Sequence, residues 1–232
     1  MTEHLEVKDE MEQDHPAKRD GARRAEACGR PQCERHHRHG VEIGHHIAPA
    51  GHGGDIGRAD LFERLDAAAA DPSLVVEPVN FNEPTQIVIA GHNAAVERAC
   101  ELAKAAGAKR AMKLAVSAPF HSSLLKPASD RLRDYMENIT FNAPQIDLVN
   151  NVDVAIETDP ARIKDALVRQ AASPVRWVET MQKMAASGVT QVIECAPSKV
   201  LVGMAKRIDA NLAGDALVDQ AALERVLASV DG

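Results

Sequence analysis

Regular hydrophobic patterning begins near residue 61 and continues to the end of the chain. Residues 1–58 are rich in His, Arg, Gly and Asp, and no period of 2 or 3.6 persists in them. This segment contains no aromatic Phe, Tyr or Trp, and eight of the ten histidines lie at or before His52. We therefore expect residues 1–58 to lie outside the folded domain.

Residues 59–117 carry the pattern of a small α+β unit. Apolar and polar positions predict a helix from Leu61, an extended stretch from Ser73, a strand from Gln86, a helix from Asn93 to Gly107 and a strand from Lys109. In the second helix, Asn93 is the expected N-cap and Gly107 the expected end.

Residues 118–232 alternate between helical and strand patterns, which is typical of a parallel α/β sheet. The predicted helices begin at Ser122, Asp159, Pro174 and Ser198, and the predicted strands begin at Gln145 and Thr190. Pro127 marks a kink or a late start in the first of these helices. Polar or small residues follow the strands, and the carboxyl ends of parallel strands are where ligands bind.

Composition narrows the possible function classes. The net charge of −7 disfavours nucleic acid as the main partner, and no apolar run reaches the roughly 18 residues of a membrane span. The N-terminus is too polar for a signal peptide, and four cysteines in a chain this long do not suggest a disulfide framework. We expect a cytoplasmic protein.

An ordered set of motifs identifies a family. The motifs are V-E-P-V-N-F-N-E-P, I-V-I-A-G-H, A-G-A-K-R-A, V-S-A-P-F-H-S-S-L-L-K-P-A, V-N-N-V-D, D-A-L-V-R-Q and V-I-E-C-A-P-S-K-V-L. Together they resemble the later part of bacterial malonyl-CoA:acyl carrier protein transacylases. The resemblance implies an α/β fold: a partial α/β-hydrolase-like acyltransferase subdomain over residues 118–232, with a small ferredoxin-like subdomain over residues 59–117.

The resemblance also implies the site and its substrates. His121 matches the catalytic general base, and Gln170 matches the residue whose backbone carbonyl orients it. Phe120 matches a position that shapes the acyl pocket, while Asn80 and Asn82 match asparagines near the active site. Malonyl-CoA and the phosphopantetheine thiol of acyl carrier protein are the implied substrates, with no further cofactor and no metal.

One part of the family pattern is missing from the sequence. No G-x-S-x-G nucleophile elbow occurs, and no arginine stands in the context expected to bind the malonyl carboxylate. We therefore expect the chain to be truncated or inactive. The alternatives are a chain completed by another polypeptide, a non-catalytic module that binds acyl carrier protein or CoA, and a fragment of a polyketide-synthase-type acyltransferase.

Three interpretations of residues 1–58 remain open. Cys28, Cys33, His36 and His39 are zinc-ligand types, but their spacing is unusual for a zinc finger. A disordered tail is the second interpretation. The third is an out-of-frame translation, because codons for G-H-G-G-D-I-G at residues 51–57 can spell G-M-A-A-I-L-G when read one nucleotide later.

Overall fold

The computed structural model describes residues 67–68, 71, 73–108, 110–114, 116–195 and 198–230, together with the backbone of 38–44. Most of the segment 1–58 and nearly all of the predicted helix from Leu61 lie outside these residues. The candidate zinc ligands lie outside them as well, except for the backbone of His39, and these interpretations stay predictions. No helix in the described ranges is long and apolar enough to cross a membrane.

A four-stranded antiparallel sheet forms the small subdomain. Its strands are β1 (Arg38–Gly44), β2 (Val76–Glu83), β3 (Gln86–His92) and β4 (Arg110–Leu114), in the order β2-β3-β1-β4. Helix α1 (Asn93–Ala105) packs on it. This strand order and the antiparallel pairing are those of a ferredoxin-like sheet, as the resemblance implies.

Strand β1 is an element that the sequence pattern did not predict. It lies within residues 1–58, yet it pairs with β3 from Arg38↔His92 to Gly44↔Gln86 and with β4 on its other side. Only Val41 and Ile43 alternate with polar residues here, inside a run of histidine and arginine. Two apolar positions are too few to establish a period of 2.

The core of the small subdomain is aliphatic and lies between the sheet and α1. Ile87 and Ile89 of β3 pack with Val96 and Ala99 of α1, and all four are at most 2% exposed. The predicted end of α1 is confirmed, because Gly107 has φ 97° just after the helix. The predicted N-cap is wrong: His92 occupies that position with extended backbone, and no side chain caps the helix.

The larger part begins with a single 3-10 turn, Ser123–Leu125, which leads into α2 (Lys126–Met136). Pro127 lies in the first turn of α2, so it marks a late helix start and not a kink. Helices α3 (Pro160–Gln170) and α4 (Trp177–Ala186) follow as predicted, although α4 starts three residues later than the pattern suggests.

The predicted strand from Gln145 is much shorter than expected. Only β5 (Val149–Asn150) forms, and it pairs antiparallel with β6 (Ala155–Ile156). The Asn150 side chain accepts a hydrogen bond from the Asp153 backbone N–H at 2.8 Å and closes a turn. Asparagine and aspartate favour turns of this kind, and the turn reverses the chain before a longer strand can form.

A parallel pair completes the described part of the fold. Strand β7 (Gln191–Glu194) pairs with β8 (Ala213–Ala216), α5 (Val200–Ile208) connects them, and α6 (Gln220–Val230) follows. Met181, Ala205 and Leu212 form the core between α4 and α5. Strand β8 has the sequence A-G-D-A, which lacks β-branched residues, so only its pairing with β7 identifies it as a strand.

Candidate active site

His121 lies in a tight turn between β4 and the 3-10 turn, with left-handed backbone at φ 64°. Few non-glycine residues adopt this region, although histidine does so more often than most. Ser122 stabilises the turn, because it is fully buried and its hydroxyl donates to the Pro119 carbonyl at 2.7 Å. The turn therefore presents the His121 ring in a fixed direction.

The ring of His121 contacts the end of helix α3. Its Nδ1 lies 2.8 Å from the backbone carbonyl oxygen of Gln170. A carbonyl oxygen can only accept, so Nδ1–H donates and the neutral ring keeps its lone pair on Nε2. The structure thus presents Nε2 of His121 as an available base.

Gln170 is suited to this contact because it is the last residue of α3. The final carbonyls of a helix have no partner within the helix, and this end of the helix dipole is partially negative. The carbonyl of Gln170 therefore holds the neutral ring in one tautomer.

The end of α3 is itself anchored by ion pairs. Arg169 donates to both carboxylate oxygens of Asp153, at 2.8 and 2.7 Å, and its Nε donates to Asp165 at 2.6 Å. Arg133 of α2 also donates to Asp165, at 3.3 Å. The hydrogen bonds from Arg169 are the main reason that the pKa values of Asp153 and Asp165 lie below the ordinary aspartate value.

Two further hydrogen bonds hold α3 in place. The Asp159 side chain caps its N-terminus by accepting from the Ala161 N–H at 2.8 Å. In the last turn of α3, the buried Ser129 hydroxyl of α2 donates to the Val168 carbonyl at 2.7 Å. Contacts at both ends of α3 therefore hold Gln170 in position.

Strand β2 connects the small sheet to the His121 turn and to the segment after α3. Ser123 lies two residues after His121, and its backbone N–H donates to the Glu77 carboxylate at 2.7 Å. The Val175 N–H donates to the Val79 carbonyl at 2.8 Å, and the Phe81 N–H donates to the Val175 carbonyl at 2.9 Å. A single strand thus contacts both the turn that contains His121 and the segment that follows Gln170.

The other predicted site residues lie on β2 and directly before His121 in the chain. Asn80 belongs to β2 and forms an isolated parallel bridge with Val175. Asn82 lies two positions further along β2 and is half-buried. Phe120 precedes His121 and is 51% exposed. Among the described residues, no hydrogen bond joins the side chain of Asn80 or Asn82 to His121.

The serines beside His121 are not placed as nucleophiles. The Ser122 hydroxyl is buried and donates to Pro119, while Ser123 offers its backbone N–H to Glu77. Neither hydroxyl is hydrogen-bonded to His121 in the described part of the chain. No group of His, Cys, Asp and Glu residues within the described ranges is arranged to hold a metal ion.

Sequence reasoning missed the residues that support the pair. Glu77 and Ser123 are 46 positions apart, and Arg169 and Asp153 are 16 apart. No local period connects such positions. The only available indication was that Glu77 and Arg169 each lie inside a motif, V-E-P-V-N-F-N and L-V-R-Q, that the resemblance had already singled out.

Comparisons with known proteins identify the family of the chain. A family model described as "Acyl transferase domain" matches residues 41–220. The chain is 50% identical over 182 residues to the malonyl CoA-acyl carrier protein transacylase of Salmonella typhimurium, covering 77% of this chain and 59% of that protein.

Solved structures give the same result. The acyl-carrier-protein S-malonyltransferase of Burkholderia pseudomallei superposes with a TM-score of 0.74 at 52% identity, covering 83% of this chain and 59% of that one. A malonyl-transacylase in complex with a type II PKS acyl-carrier protein gives a TM-score of 0.76 at 42% identity, covering 84% and 59%. The chain spans about 59% of the length of these relatives. It belongs to the acyl transferase domain family.

Proposed function

We propose that this chain supplies the general-base part of an S-malonyltransferase site, which moves malonyl from CoA to the phosphopantetheine thiol of acyl carrier protein. One observation carries the proposal: Nδ1 of His121 lies 2.8 Å from the Gln170 carbonyl oxygen, which leaves Nε2 free to accept a proton. We propose that the reaction requires no cofactor beyond its thioester and thiol substrates, and we place it in the cytoplasm.

The chemistry follows from the ring geometry in two half-reactions. In the first, Nε2 of His121 takes the proton of a serine hydroxyl while the serine oxygen attacks the thioester carbonyl. The C–S bond then breaks, and the imidazolium returns the proton to the CoA sulfur. In the second, Nε2 takes the proton of the carrier thiol while its sulfur attacks the carbonyl of the serine ester. The ester C–O bond then breaks, and the imidazolium returns the proton to the serine oxygen.

Gln170 acts in both half-reactions through its position. Its carbonyl keeps the proton of the neutral ring on Nδ1 and stabilises the imidazolium without taking a proton itself. A carboxylate has the corresponding role in serine hydrolase triads. Phe120, Asn80 and Asn82 line the acyl side of the site in this proposal, with Phe120 disfavouring branched acyl groups.

The serine must come from a nucleophile elbow, and the sequence contains no G-x-S-x-G. We therefore propose that the chain forms no malonyl ester unless such an elbow is supplied. The malonyl CoA-acyl carrier protein transacylase of Escherichia coli is 53% identical to this chain over 172 residues. The test is to co-express this chain with the N-terminal part of that protein and to measure malonyl transfer to holo-acyl carrier protein.

Transfer that disappears in His121→Asn supports the proposal, since loss of the base should lower the rate by orders of magnitude. The chain alone should show no malonyl-serine in mass spectra. Two results would overturn the proposal: malonyl-serine on the chain alone, or transfer by the reconstituted pair that does not depend on His121.

A polyketide carrier protein is a second candidate partner. The observation in its favour is the 42% identity to the malonyl-transacylase that was solved in complex with a type II PKS acyl-carrier protein. Competition between the two carrier types for the reconstituted pair distinguishes them. Carrier binding without any transfer would instead favour a non-catalytic binding module.

A further inference from the structure

We propose that Glu77 of β2 is a positioning residue for His121, which it controls through the backbone N–H of Ser123. The inference builds on the function proposed above but concerns a group that does not touch the substrate. In physical terms, the Glu77 carboxylate on the small sheet holds the turn that contains His121, which belongs to the larger part.

The contact itself is short and charge-assisted. The Glu77 Oε2 atom accepts from the Ser123 N–H at 2.7 Å. Ser123 is the first residue of the 3-10 turn Ser123–Leu125, where a backbone N–H has no partner inside the turn. A carboxylate that accepts a hydrogen bond from a backbone N–H is a strong partner. Glu77 therefore caps the N-terminus of the 3-10 turn, although it lies on a strand that is distant in sequence.

The turn needs this support because His121 has left-handed backbone, with φ 64°. An L-residue in this region is strained by roughly 1–2 kcal/mol, which surrounding contacts must offset. The Ser122 hydroxyl restrains the turn through Pro119, within three residues of sequence. Glu77 restrains the same turn from another structural element.

The orientation of the ring is where this restraint matters. His121 meets the Gln170 carbonyl only while its turn keeps a set distance from the end of α3. Strand β2 holds the turn through Glu77 and holds Val175, five residues after Gln170, through the backbones of Val79 and Phe81. The same strand therefore sets the spacing between the two partners, and Glu77 is its only side chain on the His121 turn among the described hydrogen bonds.

The experiment removes the contact from each side in the full-length chain. Glu77→Ala deletes the acceptor, while Glu77→Gln keeps an oxygen in the same place. Ser123→Pro deletes the donor, and the site tolerates proline because Ser122 is already extended at φ −103° and ψ 165°. Glu101→Ala, at an exposed glutamate of α1, is the matched control.

The readout is the His121 ring itself, observed by ¹⁵N NMR in the absence of substrate. In the unaltered chain, Nδ1 should carry the proton. In Glu77→Ala and Ser123→Pro the nitrogen signals should shift toward a mixture of tautomers, and exchange of the Nδ1 proton with water should accelerate about tenfold. Glu77→Gln keeps an uncharged acceptor and should lie between Glu77→Ala and the unaltered chain. Glu101→Ala should match the unaltered chain, and the double variant should be no worse than either single one.

An unchanged His121 spectrum in a folded Glu77→Ala or Ser123→Pro variant overturns the proposal, as does additivity of the two changes. If Glu77→Ala fails to fold, Ser123→Pro still decides the outcome, because it removes the same hydrogen bond from the donor side. Because the ring is observed without substrate, failure of the proposed transfer reaction leaves this test intact. In the reconstituted pair, Glu77→Ala should lower kcat and leave the KM for malonyl-CoA unchanged.

Discussion

Arg169 donates two parallel hydrogen bonds to Asp153, from Nη1 to Oδ1 at 2.8 Å and from Nη2 to Oδ2 at 2.7 Å. This bidentate pair joins the end of α3 to the turn between β5 and β6. Gln170, whose carbonyl meets His121, is the next residue along the chain. An ion pair with no atom in the proposed chemistry thus helps to hold Gln170, the partner of His121, in position.

The first prediction concerns acid stability. The pKa values of Asp153 and Asp165 are lowered in the folded chain, chiefly by hydrogen bonds from Arg169. Their contribution to the free energy of unfolding is complete above the unfolded aspartate pKa of about 3.9 and disappears as pH falls through the lower folded values. Urea unfolding measured from pH 3 to pH 7 should show the free energy of unfolding fall at the acid end of this range, which we call the acid limb.

Arg169→Gln should flatten that limb, because both carboxylates then titrate nearer their ordinary pKa. Arg207→Gln is a suitable control, since Arg207 pairs with Glu83 of β2 and not with either aspartate. The effect is modest because the Arg169 and Asp153 side chains are 38% and 44% exposed. An acid limb of equal steepness in Arg169→Gln and in the unaltered chain would contradict this account.

The second prediction concerns the cap of α3. Asp159→Ala removes the side chain that accepts from the Ala161 N–H, and should lower the free energy of unfolding by about 1 kcal/mol. Asp159→Asn keeps a capping oxygen and should cost much less. Chemical denaturation measures both values.

A matched cap on α6 separates general stability from the site. Asp219 accepts from the Ala222 N–H at 2.7 Å, so Asp219→Ala should cost a similar amount. Only Asp159→Ala should also change the His121 ring signals, since only α3 ends at Gln170. Equal effects of the two variants on the ring would indicate that α3 does not position it.

The sequence predicted elements well where local pattern was strong. Helix α3 has an aspartate cap, a proline at its first position and three buried apolar residues, and its limits were as expected. The small sheet was predicted except for β1, whose strand identity depends on pairing with β3 and β4. Strands of two to four residues, such as β5 and β8, depend on long-range contacts that no local period encodes.

The candidate site was predictable only in part, and for a related reason. The resemblance identified His121 and Gln170, and the structure places their atoms 2.8 Å apart. Glu77 and Arg169 were not singled out, because their partners are distant in sequence and their residue types are common on surfaces. The left-handed backbone of His121 also had no sequence indicator, since glycine is the usual residue in such turns.

The third prediction tests a close approach in the small sheet. A Cβ atom on Gly91 would lie 2.0 Å from the Val75 carbonyl oxygen, and the surrounding contacts are backbone atoms that cannot rotate away. Gly91→Ala should therefore destabilise the chain by about 3 kcal/mol, at the upper end for overpacking. Thermal and urea unfolding measure the change.

Gly203→Ala is the control for Gly91→Ala and should raise the free energy of unfolding, where Gly91→Ala lowers it. Gly203 lies inside α5, and an added Cβ would meet only the flexible end of Arg207, at 3.6 Å. Replacing a helical glycine by alanine in open space stabilises by roughly 0.5–1 kcal/mol. A Gly91→Ala variant as stable as Gly203→Ala would mean that β3 does not approach Val75 as closely as described.

The fourth prediction uses the left-handed backbone of His121 to choose the inactive variant. His121→Asn and His121→Ala both remove the imidazole and with it Nε2, the proposed base. They differ in backbone preference, because asparagine visits the left-handed region at φ 64° far more readily than alanine. Asparagine should therefore be the more stable variant by about 1 kcal/mol. The same comparison at Ser123, whose turn is right-handed, should not favour asparagine. Equal unfolding free energies for the two His121 variants would show that the turn relaxes once the imidazole is gone, and that the ring contact itself holds the strained conformation.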